Sequence, residues 1–115
     1  MSERRILLLD LVDDAELIAE YEAWHAARAV PPAVVRSIRG AHILGMEIYR
    51  AGDRLVMVME TDVGFDAAAK AAADAADPDV QAWEALMSRF QRPIPAATPG
   101  EKWTPARRIF SLDEQ

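Results

Sequence analysis

Residues 43–61, ILGMEIYRAGDRLVMVMET, contain two strand-like segments joined by a short turn, and they decide the fold. The segments are Ile43–Arg50 and Arg54–Thr61, with Ala51-Gly52-Asp53 as a three-residue loop between them. A glycine in such a loop supplies the positive φ that a tight hairpin needs. Between Leu55 and Glu60 both alternating sets of the second segment are mostly apolar, which predicts a strand covered on both faces. We expect helices of this chain to cover one face and a partner sheet to cover the other.

On either side of the hairpin, strand-like and helix-like segments alternate. Residues 4–12 form an apolar run of strand length before Asp13-Asp14, where an aspartate can cap a helix that we expect to reach about Ala29. Pro31-Pro32 end this helix, because the residue before a proline avoids helical geometry. The remaining predicted elements are a helix over Ala33–Arg39, an alanine-rich helix over Phe65–Ala76, a helix over Asp79–Phe90, a loop over 91–102 and a last strand over Arg107–Leu112.

The order strand, helices, strand, strand, helices, strand is that of the split βαβ arrangement of the ferredoxin-like fold, in class α+β. It predicts one domain over residues 1–115, with a four-stranded antiparallel sheet and helices on one face. The strands carry apolar side chains on both faces, so a monomer would leave the other face open. We therefore expect a homodimer in which two such sheets pack together, the dimeric α/β-barrel arrangement.

Composition narrows the classes of function. Thirteen basic and nineteen acidic residues give a net charge of −6, so neither nucleic acid nor an anionic membrane is an expected partner, because both bind basic surfaces. The chain has no cysteine, which excludes a disulfide, a thiol nucleophile and a zinc–thiolate site. No apolar run has the length of a signal core or a membrane span, and we expect a cytoplasmic protein. The two histidines lie on different predicted elements, and we predict no metal site and no cofactor.

One pair of side chains is suited to acid–base chemistry. Tyr21 and His25 are four residues apart on the first predicted helix, so they project from the same face. An imidazole transfers protons near neutral pH, and a tyrosine hydroxyl can hydrogen-bond a polyol. Alternatively, Tyr21 packs in the core and His25 is an ordinary surface histidine, which is the commoner outcome for such a pattern.

Five further positions have two interpretations each. Trp83 would stack on the C–H face of a sugar while Glu84 accepts hydroxyls, or else Trp83 is core and Glu84 is solvated surface. His42, at the entrance to a strand, is more simply a turn histidine. Glu47 and Glu60 interrupt apolar strands, and one of them would line a pocket unless both point outward at a sheet edge.

Six short motifs follow one another along nearly the whole chain: Tyr21-x-x-x-His25, Gly40-Ala41-His42, Ile48-Tyr49, Leu55, Trp83-x-x-x-Met87 and Ile109-Phe110-Ser111-Leu112. In this order and spacing they resemble the L-rhamnose mutarotase family of dimeric α+β proteins. The resemblance implies that His25 is the acid of the reaction and that Tyr21 binds the substrate.

Two positions depart from the rhamnose enzymes of that family. Met46 stands where those enzymes have a substrate-binding tyrosine, and Trp83-Glu84 stands where they have a tryptophan pair. By resemblance Met46, Trp83 and Glu84 belong to the substrate site, and the local sequence is more similar to the branch associated with L-fucose. L-Fucose and L-rhamnose are 6-deoxy sugars with differently oriented hydroxyls at C2 and C4. A pocket that pairs buried polar groups with one pattern penalises the other.

The resemblance implies an isomerase that opens the sugar ring by acid–base catalysis and recloses it on the other face, without a cofactor. His25 would protonate the ring oxygen while Tyr21 positions the sugar and Trp83 stacks near its 6-methyl group. The base would be Glu84, Glu47 or a bound water. Three alternatives stay open: an L-rhamnose mutarotase, a cofactor-free monooxygenase on the same dimeric barrel, and a sugar-binding module without catalysis.

Overall fold

A computed structural model describes residues 1–115 and contains five strands and four α-helices. A single 3₁₀ turn, Leu112–Glu114, lies at the end of the chain. In chain order the elements are β1 (Ser2–Leu11), α1 (Ala15–Trp24), α2 (Pro32–Arg39), β2 (Ile43–Ala51), β3 (Arg54–Asp62), α3 (Ala67–Ala76), α4 (Pro78–Ser88), β4 (Gln91–Arg92) and β5 (Thr104–Pro105).

The strands form one antiparallel sheet with the order β2-β3-β1-β4, and β5 pairs with the same edge of β1 as a separate short strand. This order confirms the predicted α+β, ferredoxin-like fold. The long pairing of β1 with β3, from Ser2 opposite Asp62 to Asp10 opposite Arg54, forms the centre of the sheet. The β2–β3 turn is one residue tighter than predicted, because Ala51 still pairs with Arg54. Gly52 adopts a φ of 61°, the positive value that such a turn requires.

The core lies between one face of the sheet and the helices, as predicted. Leu9 and Leu11 of β1 and Leu55 of β3 are at most 2% exposed on this face. The strand period of two puts alternate residues of each strand on it. Helix α1, helix α4 and the residues just after α4 supply the opposing side chains of the central cluster, which consists of Leu11, Tyr21, Leu55, Met87 and Phe90. The sheet therefore has a filled helical side and an open side.

The predicted last strand over Arg107–Leu112 is wrong. Its place at the edge of β1 is taken by β4 and β5, and the last backbone bond of the chain to the sheet runs from the Ala106 N–H to the Ile6 carbonyl. Beyond it the chain leaves the sheet, with Ile109 86% and Phe110 63% exposed. The apolar alternation of this segment is typical of a strand, but within this chain no sheet edge receives it.

Helix α1 ends at Trp24, five residues before the predicted end at Ala29. His25 is the C-cap, and Arg28 has a φ of 67°, outside helical geometry. The early end places His25 at the helix terminus. No helix combines the length and the apolar character that crossing a lipid bilayer requires.

Candidate active site

A cavity of about 610 Å³ opens on the helical side of the sheet, between β2 and helices α1, α2 and α4. Apolar side chains form most of its wall, as in small-molecule sites generally, and charged and polar side chains from several elements line the rest. All the residues predicted for the site line this one cavity: Tyr21, His25, Met46, Trp83 and Glu84. A second cavity, about 520 Å³, lies under the proline-rich loop and contains no histidine or tyrosine.

His25 is held in one ring orientation. Its Nδ1 lies 2.7 Å from the backbone oxygen of Tyr21, one helical turn earlier. A carbonyl oxygen only accepts hydrogen bonds, so Nδ1 carries the hydrogen and the neutral ring has its lone pair on Nε2. The ring lies 4.3 Å from the Tyr21 ring and 5.4 Å, edge-on, from the ring of Trp83. The arrangement gives the cavity a fixed histidine that can take up or release a proton at Nε2.

Tyr21 belongs both to the core and to the cavity wall, so the two interpretations of this residue are not exclusive. The residue is 3% exposed, and its hydroxyl oxygen accepts a hydrogen bond of 3.1 Å from the Gln91 side-chain N–H. Burial raises the pKa of Tyr21, and the bond from Gln91 only partly offsets this. The phenol therefore keeps its proton at neutral pH and has one hydrogen left to donate.

Trp83 and Glu84 are neighbours on α4 with different environments. Trp83 is half-buried and packs edge-on against Trp24, with the ring centroids 6.1 Å apart. Glu84 is exposed, and its Oε2 lies 3.4 Å from the side-chain nitrogen of Gln81. Across the cavity Met46 is half-buried on β2, opposite Met59 of β3. The cavity thus has an aromatic wall, an apolar wall and a carboxylate at its rim.

Neither strand glutamate lines the cavity. Glu47 is exposed and accepts a hydrogen bond of 3.0 Å from the Tyr49 hydroxyl, while Glu60 pairs with Arg4 at 3.5 Å. By the period of two, both lie on the open face of the sheet. Glu47 thus lies away from the cavity and Glu84 lines it, which leaves Glu84 and a bound water as the candidate bases.

His42 also lies outside the cavity, at the turn before β2. It has a φ of 65°, and its Nδ1 is 3.1 Å from an Asp62 carboxylate oxygen. The Gly64 backbone N–H, 2.7 Å from the same carboxylate, is the main cause that lowers the pKa of Asp62, and His42 adds to it. His42 is therefore a turn histidine with a partner, as the simpler interpretation expected.

Sequence reasoning missed five polar residues of the cavity, namely Arg39, Lys70, Asp74, Gln91 and Lys102. Gln91 has no signal in the sequence, since only the fold brings it to the Tyr21 hydroxyl. Lys70 and Asp74 did leave a signal, because they are the only charged residues in an alanine run and are spaced four apart. Trp103 reaches the wall from the end of the proline-rich loop. No group of three or more histidine, aspartate or glutamate side chains is arranged to hold a metal ion.

Comparison with known proteins identifies the family of the chain. A sequence model described as L-rhamnose mutarotase matches residues 4–112. The chain is 56% identical over 112 residues to an L-fucose mutarotase of Xanthomonas campestris pv. campestris, covering 97% of this chain and 90% of that protein. It is 33% identical over 109 residues to a UPF0734 protein of Dictyostelium discoideum, covering 91% and 86% of the two chains.

A solved structure has the same fold. The crystal structure of an L-rhamnose mutarotase from Formosa agariphila superposes with a TM-score of 0.68, covering 96% of this chain and 98% of that one. The two sequences are only 15% identical. The superposition supports the ferredoxin-like architecture independently of close sequence similarity.

Proposed function

The chain belongs to the L-rhamnose mutarotase family, and from that membership we propose that it interconverts the α and β anomers of L-fucose. Mutarotases are isomerases, and the substrate is a small-molecule sugar. The proposal follows the relative at 56% identity, which is named an L-fucose mutarotase. It is also supported by Met46 and Glu84, two positions at which this sequence differs from the rhamnose enzymes.

One observation supports catalysis above all: a histidine with a single free nitrogen on the wall of the cavity. The bond from Nδ1 to the Tyr21 carbonyl fixes the ring, and Nε2 is left for the substrate. A proton-transfer group is useful only when it is held within hydrogen-bond reach of the reacting oxygen.

The reaction requires that one proton leave the anomeric hydroxyl and that another reach the ring oxygen. The bond between C1 and the ring oxygen then breaks, the free aldehyde rotates, and the ring recloses on its other face. We assign His25, in its protonated form, as the donor to the ring oxygen through Nε2. The base that takes the anomeric proton is Glu84 or a water held beside it. When the ring recloses, the same groups act in the opposite sense.

The remaining residues bind rather than react. The Tyr21 hydroxyl has a hydrogen to donate to a sugar oxygen, since Gln91 occupies its acceptor side. Trp83 offers an aromatic surface to the apolar side of the sugar near the 6-methyl group. Met46 contributes apolar contact where a tyrosine hydroxyl would otherwise bind the sugar.

We further propose that the protein is a cytoplasmic homodimer. Apolar side chains Ile6, Leu8, Val56 and Val58 lie in the middle of the open sheet face. Phe110, in the exposed C-terminal segment, is 63% accessible. Packing the open faces of two copies against each other would remove this apolar surface from water.

The test is proton NMR saturation transfer between α and β anomers, run separately on L-fucose and L-rhamnose with added protein. Faster exchange of L-fucose supports the proposal. Faster exchange of L-rhamnose alone keeps the mutarotase and overturns the choice of sugar. Exchange at the solvent rate with both sugars rejects the proposed activity.

A further inference from the structure

We propose that the ion pair between Lys70 and Asp74 is the hydroxyl-binding end of the sugar site and determines which 6-deoxy sugar is accepted. The inference rests on the proposed function, since it assigns a role within the same cavity. Both residues lie on α3 and line the wall that also contains Tyr21 and His25.

The burial of this pair is unusual for the molecule. Lys70 Nζ lies 2.6 Å from Asp74 Oδ2, and the two side chains are only 19% and 17% exposed. In every other ion pair of the chain, at least one side chain is 47% exposed or more. Lys70 and Asp74 are thus the one pair that is largely withdrawn from water on both sides.

Packing of the fold does not explain why this pair is present. Helix α3 reads AAAKAAADAA and has no buried residue, so it contributes nothing to the central core. A buried ion pair adds little to stability, and apolar residues of similar size are often as good or better there. As an i, i+4 pair it supports its own helix locally, and its burial on the cavity wall is explained by what it offers to the cavity.

Its chemistry matches neighbouring sugar hydroxyls. An ammonium group donates hydrogen bonds and a carboxylate accepts them, whereas each hydroxyl can do both. Two adjacent hydroxyls can bridge the pair, one accepting from Lys70 while the other donates to Asp74. Because the hydroxyls at C2 and C4 differ in orientation between L-fucose and L-rhamnose, a sugar held in one pose presents a matching pair of adjacent hydroxyls in only one of the two cases. The other would leave a partly buried charge poorly paired.

The pair is also tied to the aromatic wall. The Gln81 side-chain nitrogen donates to the Asp74 backbone oxygen at 3.0 Å and lies 3.4 Å from Glu84 Oε2. This connection links the end of α3 to the helix that contains Trp83. The hydroxyl-binding groups and the stacking surface are consequently positioned by one small network.

The test compares kcat/KM of Asp74→Asn with that of wild type for each sugar by NMR anomer exchange. The matched control is Glu22→Gln, which neutralises the carboxylate of the exposed Glu22–Arg50 pair outside the cavity. We expect Asp74→Asn to lower kcat/KM for L-fucose on the order of 10- to 100-fold, the effect of losing a charged hydrogen bond. The same variant should move the ratio of kcat/KM for L-fucose to kcat/KM for L-rhamnose towards one. The control variant should change neither kcat/KM for L-fucose nor this ratio.

A second variant, Lys70→Met with Asp74→Leu, removes both charges together and leaves no unpaired ion in the helix. Folding of each variant is checked by circular dichroism. An equal loss for both sugars, or an unchanged ratio in both folded variants, overturns the inference and leaves the mutarotase in place. If the wild-type protein accelerates anomer exchange of neither sugar, the proposed function itself is rejected. This result is obtained before any variant is made.

Discussion

Tyr21 and Gln91 form a buried polar contact that serves both the core and the site. The hydroxyl of a residue only 3% exposed is bonded to an amide from a strand seventy positions away. The other amide atom, Gln91 Oε1, is buried without a partner in the chain. A buried polar group without a partner is costly, so this oxygen is one to which a substrate hydroxyl or a water can donate.

Tyr21→Phe removes the hydroxyl and leaves both polar atoms of Gln91 without a partner. We expect the free energy of unfolding to fall by about 1–3 kcal/mol, the cost of an orphaned buried amide. Urea denaturation measures this. Adding Gln91→Leu should restore most of the stability and none of the activity. If Tyr21→Phe alone were as stable as wild type, the hydrogen bond between Tyr21 and Gln91 would not be formed in solution.

The hydroxyl of Tyr21 also makes the free energy of unfolding depend on pH in the alkaline range. Burial raises the pKa of Tyr21 above its ordinary value of 10.0, so its contribution is fully present below pH 10 and is lost as the pH rises through the folded value. The stability gap between wild type and Tyr21→Phe should therefore narrow above pH 10. Urea titrations at several pH values check this, and a constant gap would contradict it.

His25→Ala should slow anomer exchange by a factor on the order of 10² to 10⁴, the usual contribution of one acid–base group. The matched control is His42→Ala, because His42 is the only other histidine and lies outside the cavity. Saturation-transfer NMR on folded protein measures both variants. Exchange unchanged in His25→Ala, or slowed equally in the control, would remove His25 from the mechanism.

At the scale of elements, α3 depends on its cap more than the other helices do. It has no buried residue, and a ten-residue helix is marginal by itself in water. Alanine favours the helix, and one Asp66 carboxylate oxygen accepts from the N–H groups of Ala68 and Ala69 at 3.0 and 3.1 Å. The element that holds the Lys70–Asp74 pair is thus stabilised mostly by local interactions.

Asp66→Ala should lower the local stability of α3 by about 1 kcal/mol, the typical effect of losing an N-cap. Hydrogen exchange would show faster exchange over residues 67–76, with α4 unchanged because Asp77 caps it separately. Asp13→Ala is the control, since Asp14 rather than Asp13 caps α1. Equal exchange in the variant and in wild type would mean that tertiary contacts hold the helix.

The sequence pattern predicted the long strands and helices because residues close together in the chain determine where they form. The hairpin follows from alternating apolar residues around Gly52, and the start of α1 follows from an aspartate before an apolar stripe. The last strand could not be predicted, since the apolar pattern of Arg107–Leu112 is that of a strand and only the assembled sheet determines where it pairs. Tyr21 and His25 were found through helical spacing. Gln91 was not found, because its contact depends on the long-range pairing of β4 with β1.

At the scale of the whole molecule, the open sheet face is the largest feature without a partner in the chain. Val58 sits at its centre, opposite Ile6 of β1 and Glu47 of β2. An apolar sheet face of this kind is the usual surface of a stable homodimer.

Light scattering coupled to size exclusion should give a mass about twice the 12.7 kDa of the chain. Val58→Arg should give the monomer, because the new charge would be buried in a dimer, while a monomer lets it pair with Glu47. Ala19→Arg, on the exposed side of α1, is the control and should stay dimeric. A wild-type mass near that of one chain would contradict the proposed homodimer.

The outer edge of β1 is closed by two short strands from the last quarter of the chain, Gln91–Arg92 and Thr104–Pro105. During synthesis β1 is therefore made before either strand that closes this edge, and it stays unpaired on that side until residue 105 has emerged from the ribosome. An apolar strand with a free edge is a template for pairing with another chain. A pause in translation before residue 105 would therefore leave that edge exposed to neighbouring nascent chains.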